Sequence, residues 1–344
     1  MKNNSQLGKN DGVERRSFLK WTGAAIAGMM LPFTSKASEI EMQGESVVGG
    51  GANFWKTNPE NGAEYCRQTV VNTKFVNDGS NLIWAKVDGF WQKHTLSEYN
   101  EEFLDWFVDD TFAWYDRIFS GQPIPNGGHH TPGIATYSRR GIGRGDSRFH
   151  LNNAFKSVAL VPKLEYLDDY LAIYKEAIDT GGGPYSLDWK KERLRDKNYW
   201  DRRLLVTTDL YSGQDSVIEK FGFKESHFLT NTMVNPVANI LYLDTWTSSA
   251  APTWEFRGIM KNTHWNDPVE DELYQKYRKA VLYPHMLQHG GDDHFIGVVF
   301  HIVEQFDNKD SDSSPGRGQR IAPPITYPYL SSAEYYFKKL IGKV

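Results

Sequence analysis

The 344-residue chain has one cysteine, Cys66. A lone thiol excludes an intramolecular disulfide, a zinc ribbon, a cysteine-ligated iron–sulfur cluster and a covalently attached c-type haem. No histidine stands near it in Glu64-Tyr65-Cys66-Arg67, so it reads as a small buried hydrophobe rather than a nucleophile. Beyond residue 37 no apolar run approaches the length of a membrane span. Basic charge is scarce: the formal net charge is −4, and setting aside residues 1–37, with their six Lys/Arg and two acids, makes it −8. That balance argues against a nucleic-acid or anionic-membrane partner. No G-x-S-x-G elbow occurs, and the alternating Asp310, Asp312 and Ser314 meet Pro315 where a calcium loop needs glycine.

The N-terminus is more informative. Glu14-Arg15-Arg16-Ser17-Phe18-Leu19-Lys20 precedes the apolar run Trp21 to Phe33 and the small-residue stretch Ser35-Lys36-Ala37. This order resembles a bacterial twin-arginine (Tat) export signal, with Glu14 standing where that family has Ser or Thr. The resemblance implies passage of a folded protein through the Tat translocase, cleavage near Ala37, and a periplasmic or secreted mature chain. The apolar run is interrupted by Gly23 and Gly28 and ends at Pro32, too short for a stable span.

Residues 38–53 read as a tether. Residues 54–150 read as a helical and loop-rich N-terminal region, 151–306 as a sheet region, and 307–344 as a mobile loop followed by a C-terminal helix, with 54–344 forming one unit. Thr73–Val76 and Asn81–Val87 flank a hairpin signal at Asn77-Asp78-Gly79-Ser80. Thr95 with Glu98 predicts a capping box for a helix through Phe103, Trp106, Phe107, Trp114 and Ile118. Further on, strand and helix patterns alternate. Leu164, Leu167, Leu171, Tyr174 and Ile178 mark one helix face, and Asp267, Pro268 and Glu270 open another helix. The expected class is α+β: a mixed or antiparallel sheet with β-α-β passages, ferredoxin-like or resembling a dimeric α+β barrel.

Histidines supply the candidate chemistry. His129 and His130 lie in a glycine-rich segment and, with His285, are candidate acid–base groups, because imidazole titrates near working pH. His285, His289, His294 and Asp293 form a candidate metal set, since histidines four apart share a helix face. The same two histidines would equally well offset the negative end of the helix dipole, and H-x-x-x-H lacks the glutamate of metalloproteases. Arg139, Arg140, Arg144 and Arg148 stand among glycines and could grip an anion, or pair with surface acids. Asp105 and Asp109, with Asp110 and Asp116 nearby, read as a solvated helix face; with Trp106 and Trp114 they alternatively suit glycoside cleavage.

These features point to an exported enzyme acting on a small, anionic organic molecule by histidine-centred acid–base chemistry. A mononuclear transition metal or non-covalent haem would make it redox chemistry instead. Eleven tryptophans keep open a non-catalytic binding protein for a carbohydrate or hydrophobic ligand, and an accessory subunit docked on another exported enzyme. A homodimer is compatible with either.

Overall fold

A computed structural model describes residues 54–123, 128–138, 149–181, 187–209, 226–243, 253–289, 293–308 and 318–323. Strands dominate its start. β1 (Trp55–Thr57) pairs with β2 (Glu64–Cys66); β3 (Val71–Asn72), β4 (Leu82–Val87) and β5 (Phe90–Thr95) form a second small antiparallel sheet. The β4–β5 hairpin turns on Asp88-Gly89, both at positive φ (50° and 91°), which matches the twist of the flanking strands. The expected turn at Asn77–Ser80 lies instead within the longer β3–β4 connection.

The first helix, α1 (Glu101–Ser120), begins later than the Thr95 capping box predicts, because Thr95 is drawn into the β5 ladder opposite Leu82. Asn100 is the cap, its Oδ1 accepting from the Phe103 N–H at 3.0 Å. Phe103, Phe107, Thr111 and Trp114 fall on its buried stripe. The Phe103 ring stands 4.7 Å from Phe256, 5.1 Å from Tyr242 and 5.9 Å from Trp254. Each such pair adds about 0.5–1.5 kcal/mol beyond its area burial.

The main sheet contains β6 (Gly133–Tyr137), β7 (Leu151–Phe155), β8 (Val158–Pro162), β9 (Trp200–Asp209), β10 (Val237–Leu243), β11 (Thr253–Thr263), β12 (Ile296–Asp307) and β13 (Gln319–Ala322). Its order is β7-β6-β10-β11-β12-β9-β8, with β13 added on the far end of β12, and every pairing is antiparallel. β7 and β8 thus occupy opposite ends of the order, yet only Lys156 and Ser157 separate them in the chain. A flat sheet of this order would hold its edge strands about 29 Å apart, whereas that link reaches at most about 11 Å. The sheet therefore curls until its edges meet. Val158 N–H donates to His130 O at 3.0 Å across the seam, and Thr207 Oγ1 donates to Ser157 O at 2.6 Å, tying β9 to the start of β8. This barrel closes within one chain.

Helices occupy the long connections. α2 (Leu164–Thr180) and α3 (Leu187–Arg195) lie between β8 and β9, α4 (His227–Val234) precedes β10, and α5 (Glu272–His289) lies between β11 and β12. The passages through α2 and α3 and through α5 join neighbouring antiparallel strands, unlike the parallel crossovers of a ferredoxin-like sheet. The class is α+β with an antiparallel sheet. α2 buries Leu167, Tyr170, Leu171 and Tyr174 and ends at Gly181 as its stripe predicts, while Leu164 is left exposed. α5 starts beyond Pro268 because Asp267 is held by Arg67; Asp271 caps it instead, accepting from Leu273 N–H at 2.8 Å.

One hydrophobic cluster runs from Cys66 through α1 to Ile302. Residue 150 is no boundary, since β6 pairs both with β7 and with β10. At β11–β12 the backbones approach so closely that a Cβ on Gly258 would lie 2.0 Å from His301 O. The expected signal peptide and tether, and the C-terminal helix near 332–340, lie outside the described residues.

Candidate functional site

A cavity of about 90 Å³ lies where the barrel seam faces α1, α2, α3 and α5. His129 and His130 reach it from the loop before β6, Ser157 from the seam, Lys190 from α3 and His285 from α5; Phe107, Tyr170 and Trp200 supply aromatic wall. His285, distant in the chain, therefore shares one space with the adjacent His129 and His130.

His129 is the most constrained of them. It follows Gly128, whose φ of +66° turns the chain inward beside α1. The Asp110 carboxylate holds it at two points, with Oδ2 accepting the backbone N–H at 2.8 Å and also meeting ring Nδ1. Both residues are buried. Phe107 and Trp114 pack edge-on against the imidazole, with centroids 5.1 and 6.1 Å away. Burial lowers the His129 pKa below the ordinary imidazole value, while the hydrogen bond and charge of Asp110 oppose that shift. With Nδ1 turned to Asp110, Nε2 is the nitrogen left for chemistry.

His130 packs beside it, with ring centroids 6.0 Å apart, and its Nε2 lies 3.4 Å from Ser157 Oγ. The seam below is fixed by a buried ion pair. Lys156 Nζ stands 3.0 Å from Asp209 Oδ1, whose other oxygen accepts from Ser226 Oγ, the N-cap of α4, at 2.6 Å.

Of the predicted metal set, the described side chains of His285, Asp293 and His294 are not drawn together. Among the described residues no three His, Cys, Asp or Glu side chains are grouped to hold a metal ion. Asp293 is engaged by Arg278, whose Nη2 lies 3.5 Å from its Oδ2, and His294 is exposed, its ring 5.5 Å from Trp265. His285 turns instead to the cavity, and the His289 side chain lies outside the described residues. Arg139, Arg140, Arg144 and Arg148 lie there too. Asp105 pairs with Lys197 at 2.9 Å on the surface, as a solvated face would. Cys66 is buried, and burial pushes its thiol pKa well up, away from reactivity.

Sequence reading missed Asp110, Ser157 and Lys190. Asp110 had a usable signal: it stands seven residues after Phe103 and three after Phe107, in phase with the buried stripe of α1 rather than with Asp105 and Asp109. No comparable pattern marks Ser157 or Lys190.

No protein-family model and no curated protein matches the chain. Solved structures that match part of it include two proteins. One is HutZ, the heme storage protein from Vibrio cholerae, 10% identical with a TM-score of 0.28, covering 52% of this chain and 87% of that one. The other is a protein from Listeria innocua assigned as a pyridoxamine 5′-phosphate oxidase, 12% identical with a TM-score of 0.25, covering 58% of this chain and 96% of that one. At these values the site is read from the chain's own residues.

Proposed function

We propose that this chain is a Tat-exported periplasmic enzyme that transfers protons on a small organic molecule bound in the cavity shared by His129, His130 and His285. One observation carries the reading: a buried histidine is anchored by a buried carboxylate while lining that space. Asp110 fixes the tautomer and supports the imidazolium that forms; His129 Nε2 takes the proton; His130 or His285 returns one from another wall. The signal-like segment around Arg15 and Arg16 supports the location.

The test follows hydrogens on carbon. A panel of small 2-hydroxy and 2-keto acids is incubated with the protein in D2O, and C–H loss is read by NMR. At least one should exchange, and His129→Gln should slow that exchange about 100-fold or more. Wild-type protein that exchanges none of them contradicts the proposal. For export, Lys-Lys in place of Arg15-Arg16 should strand the protein in the cytoplasm; unchanged fractionation removes the periplasmic part.

A second reading rests on the same pair. A carboxylate that orients an imidazole is also what supports a metal-ligating histidine, so His129 Nε2 is the atom on which a transition metal or non-covalent haem would sit. The cavity is smaller than the roughly 300–1,000 Å³ of cofactor pockets, which puts acid–base chemistry first. Stoichiometric iron, copper, zinc or haem in the purified protein would reverse that order.

A further inference from the structure

Helix α3 carries four cations, and they are disposed differently. Lys191 and Arg195 lie over the Phe112 ring, 5.7 and 4.9 Å from its centre, and Arg193 lies 5.4 Å from the centre of Tyr199 with Glu192 4.0 Å away. Lys190 alone of the four lines the cavity. Its Nζ rests 5.2 Å from the centre of the Tyr115 ring, and among the described residues no carboxylate forms an ion pair with it. An aromatic face attracts an ammonium group only modestly, by about 0.5–2 kcal/mol. A cation so placed on the cavity wall offers a charge that a ligand anion can meet.

Resting on the acid–base reading of the same cavity, we propose that its ligand is a small organic monocarboxylate, whose charged end is held by Lys190 while its carbon end lies against Phe107, Tyr170 and Trp200. Three observations support the choice. The volume of about 90 Å³ equals the liquid space of about three waters, which suits an acid of two to four carbons. Lys190 gives the cavity wall one fixed positive charge, which matches one negative charge, whereas the second charge of a phosphate monoester would fall to the histidines of the same wall. Phe107, Tyr170 and Trp200 line the same cavity and offer it aromatic surface for an alkyl group. The charge of Lys190 also reaches His129, where it favours the neutral ring, so a carboxylate seated on Lys190 would make His129 a stronger base. The signal lay in no motif: Lys190 is marked by its place on the cavity wall.

The experiment compares propanoate with propanamide, nearly the same shape without the charge, by titration calorimetry on the full mature protein at fixed ionic strength. Propanoate should saturate at least 10-fold more tightly than propanamide. Lys190→Met should bring propanoate down to the amide's level, and Lys190→Arg should retain binding within about 3-fold. Equal affinities, no saturable propanoate binding, or wild-type affinity in Lys190→Met overturns the proposal. Should Lys190→Met not fold, Lys190→Gln is read in its place, and the propanoate–propanamide ratio on wild type decides by itself. The two readings separate cleanly: selective propanoate binding with no hydrogen exchange on any acid would sustain the Lys190 site while sinking the acid–base function.

Discussion

Asp110 grips His129 by its backbone and its ring at once, through a single carboxylate oxygen that accepts the main-chain N–H at 2.8 Å and meets Nδ1. The grip sets both where the imidazole lies and which nitrogen faces the cavity. Asp110→Asn keeps the shape but offers one accepting oxygen and no charge to support an imidazolium. Stability should fall by about 1–3 kcal/mol in urea unfolding, and proton transfer by about 100- to 10,000-fold. Retention of full exchange activity in Asp110→Asn would show that the pair is structural only.

Gly128 makes this grip geometrically feasible. Its φ of +66° disfavours any other residue, and a Cβ there would stand 2.8 Å from Asp110 Oδ2. Gly128→Ala should therefore cost about 1–2 kcal/mol of backbone strain and displace the carboxylate as well. The measurement is the melting temperature together with the D2O exchange rate; a variant as stable and active as wild type would mean that the loop adopts another path.

Acid should destabilise the fold through its buried histidines. Burial pulls His264 and His301 down to about 3, and pulls His129 below the ordinary value as well. In the unfolded chain these rings titrate near 6.5. Between about 6.5 and 3 the unfolded chain therefore binds protons that the folded chain refuses. The stabilisation present above that window is lost as pH falls through it, at about 1.4 kcal/mol per pH unit for each such ring. Urea midpoints at pH 7, 6 and 5 should drop steeply for wild type and less steeply for His301→Gln, which removes a ring hydrogen-bonded to Tyr274 OH at 3.0 Å. Equal slopes would contradict the assignment of His301 as a buried neutral base.

The barrel seam should be sensitive to charge. Lys156 and Asp209 are both buried, 3.0 Å apart. Lys156→Met removes the buried cation beside Asp209 and should cost about 3–5 kcal/mol, whereas Lys156→Met combined with Asp209→Leu should recover much of that loss. A double-mutant cycle in urea gives the coupling. Additive losses would mean that the two charges act independently.

Local chemistry was readable wherever it is decided locally. The α2 stripe and its Gly181 stop follow from helix periodicity alone, and His129, His130 and His285 stand out as residue types before any fold is known. What distant partners decide was not readable. Thr95 has the spacing of a cap but is captured by Leu82 in a strand ladder, and Asp267 resembles a cap but is captured by Arg67. Closure of the sheet depends on β7 and β8 being opposite edges of one order, a property of pairings between segments that carry no mark of their mates. Asp110 was misread with its solvated neighbours because its type outweighed its phase on the helix. Asp293 and His294 drew attention through mere density of ligand types, which the fold then spread among Arg278, Trp265 and solvent.

The protonation of a single ring tests the account most directly. Long-range proton–nitrogen NMR on histidine-labelled protein at pH 6, with the His129 signals assigned by their loss in His129→Gln, reports which nitrogen carries hydrogen. A neutral ring with its proton on Nδ1 and a bare Nε2 is the predicted result. A doubly protonated ring, or one protonated on Nε2 alone, would leave His129 unable to act as the base and contradict the account.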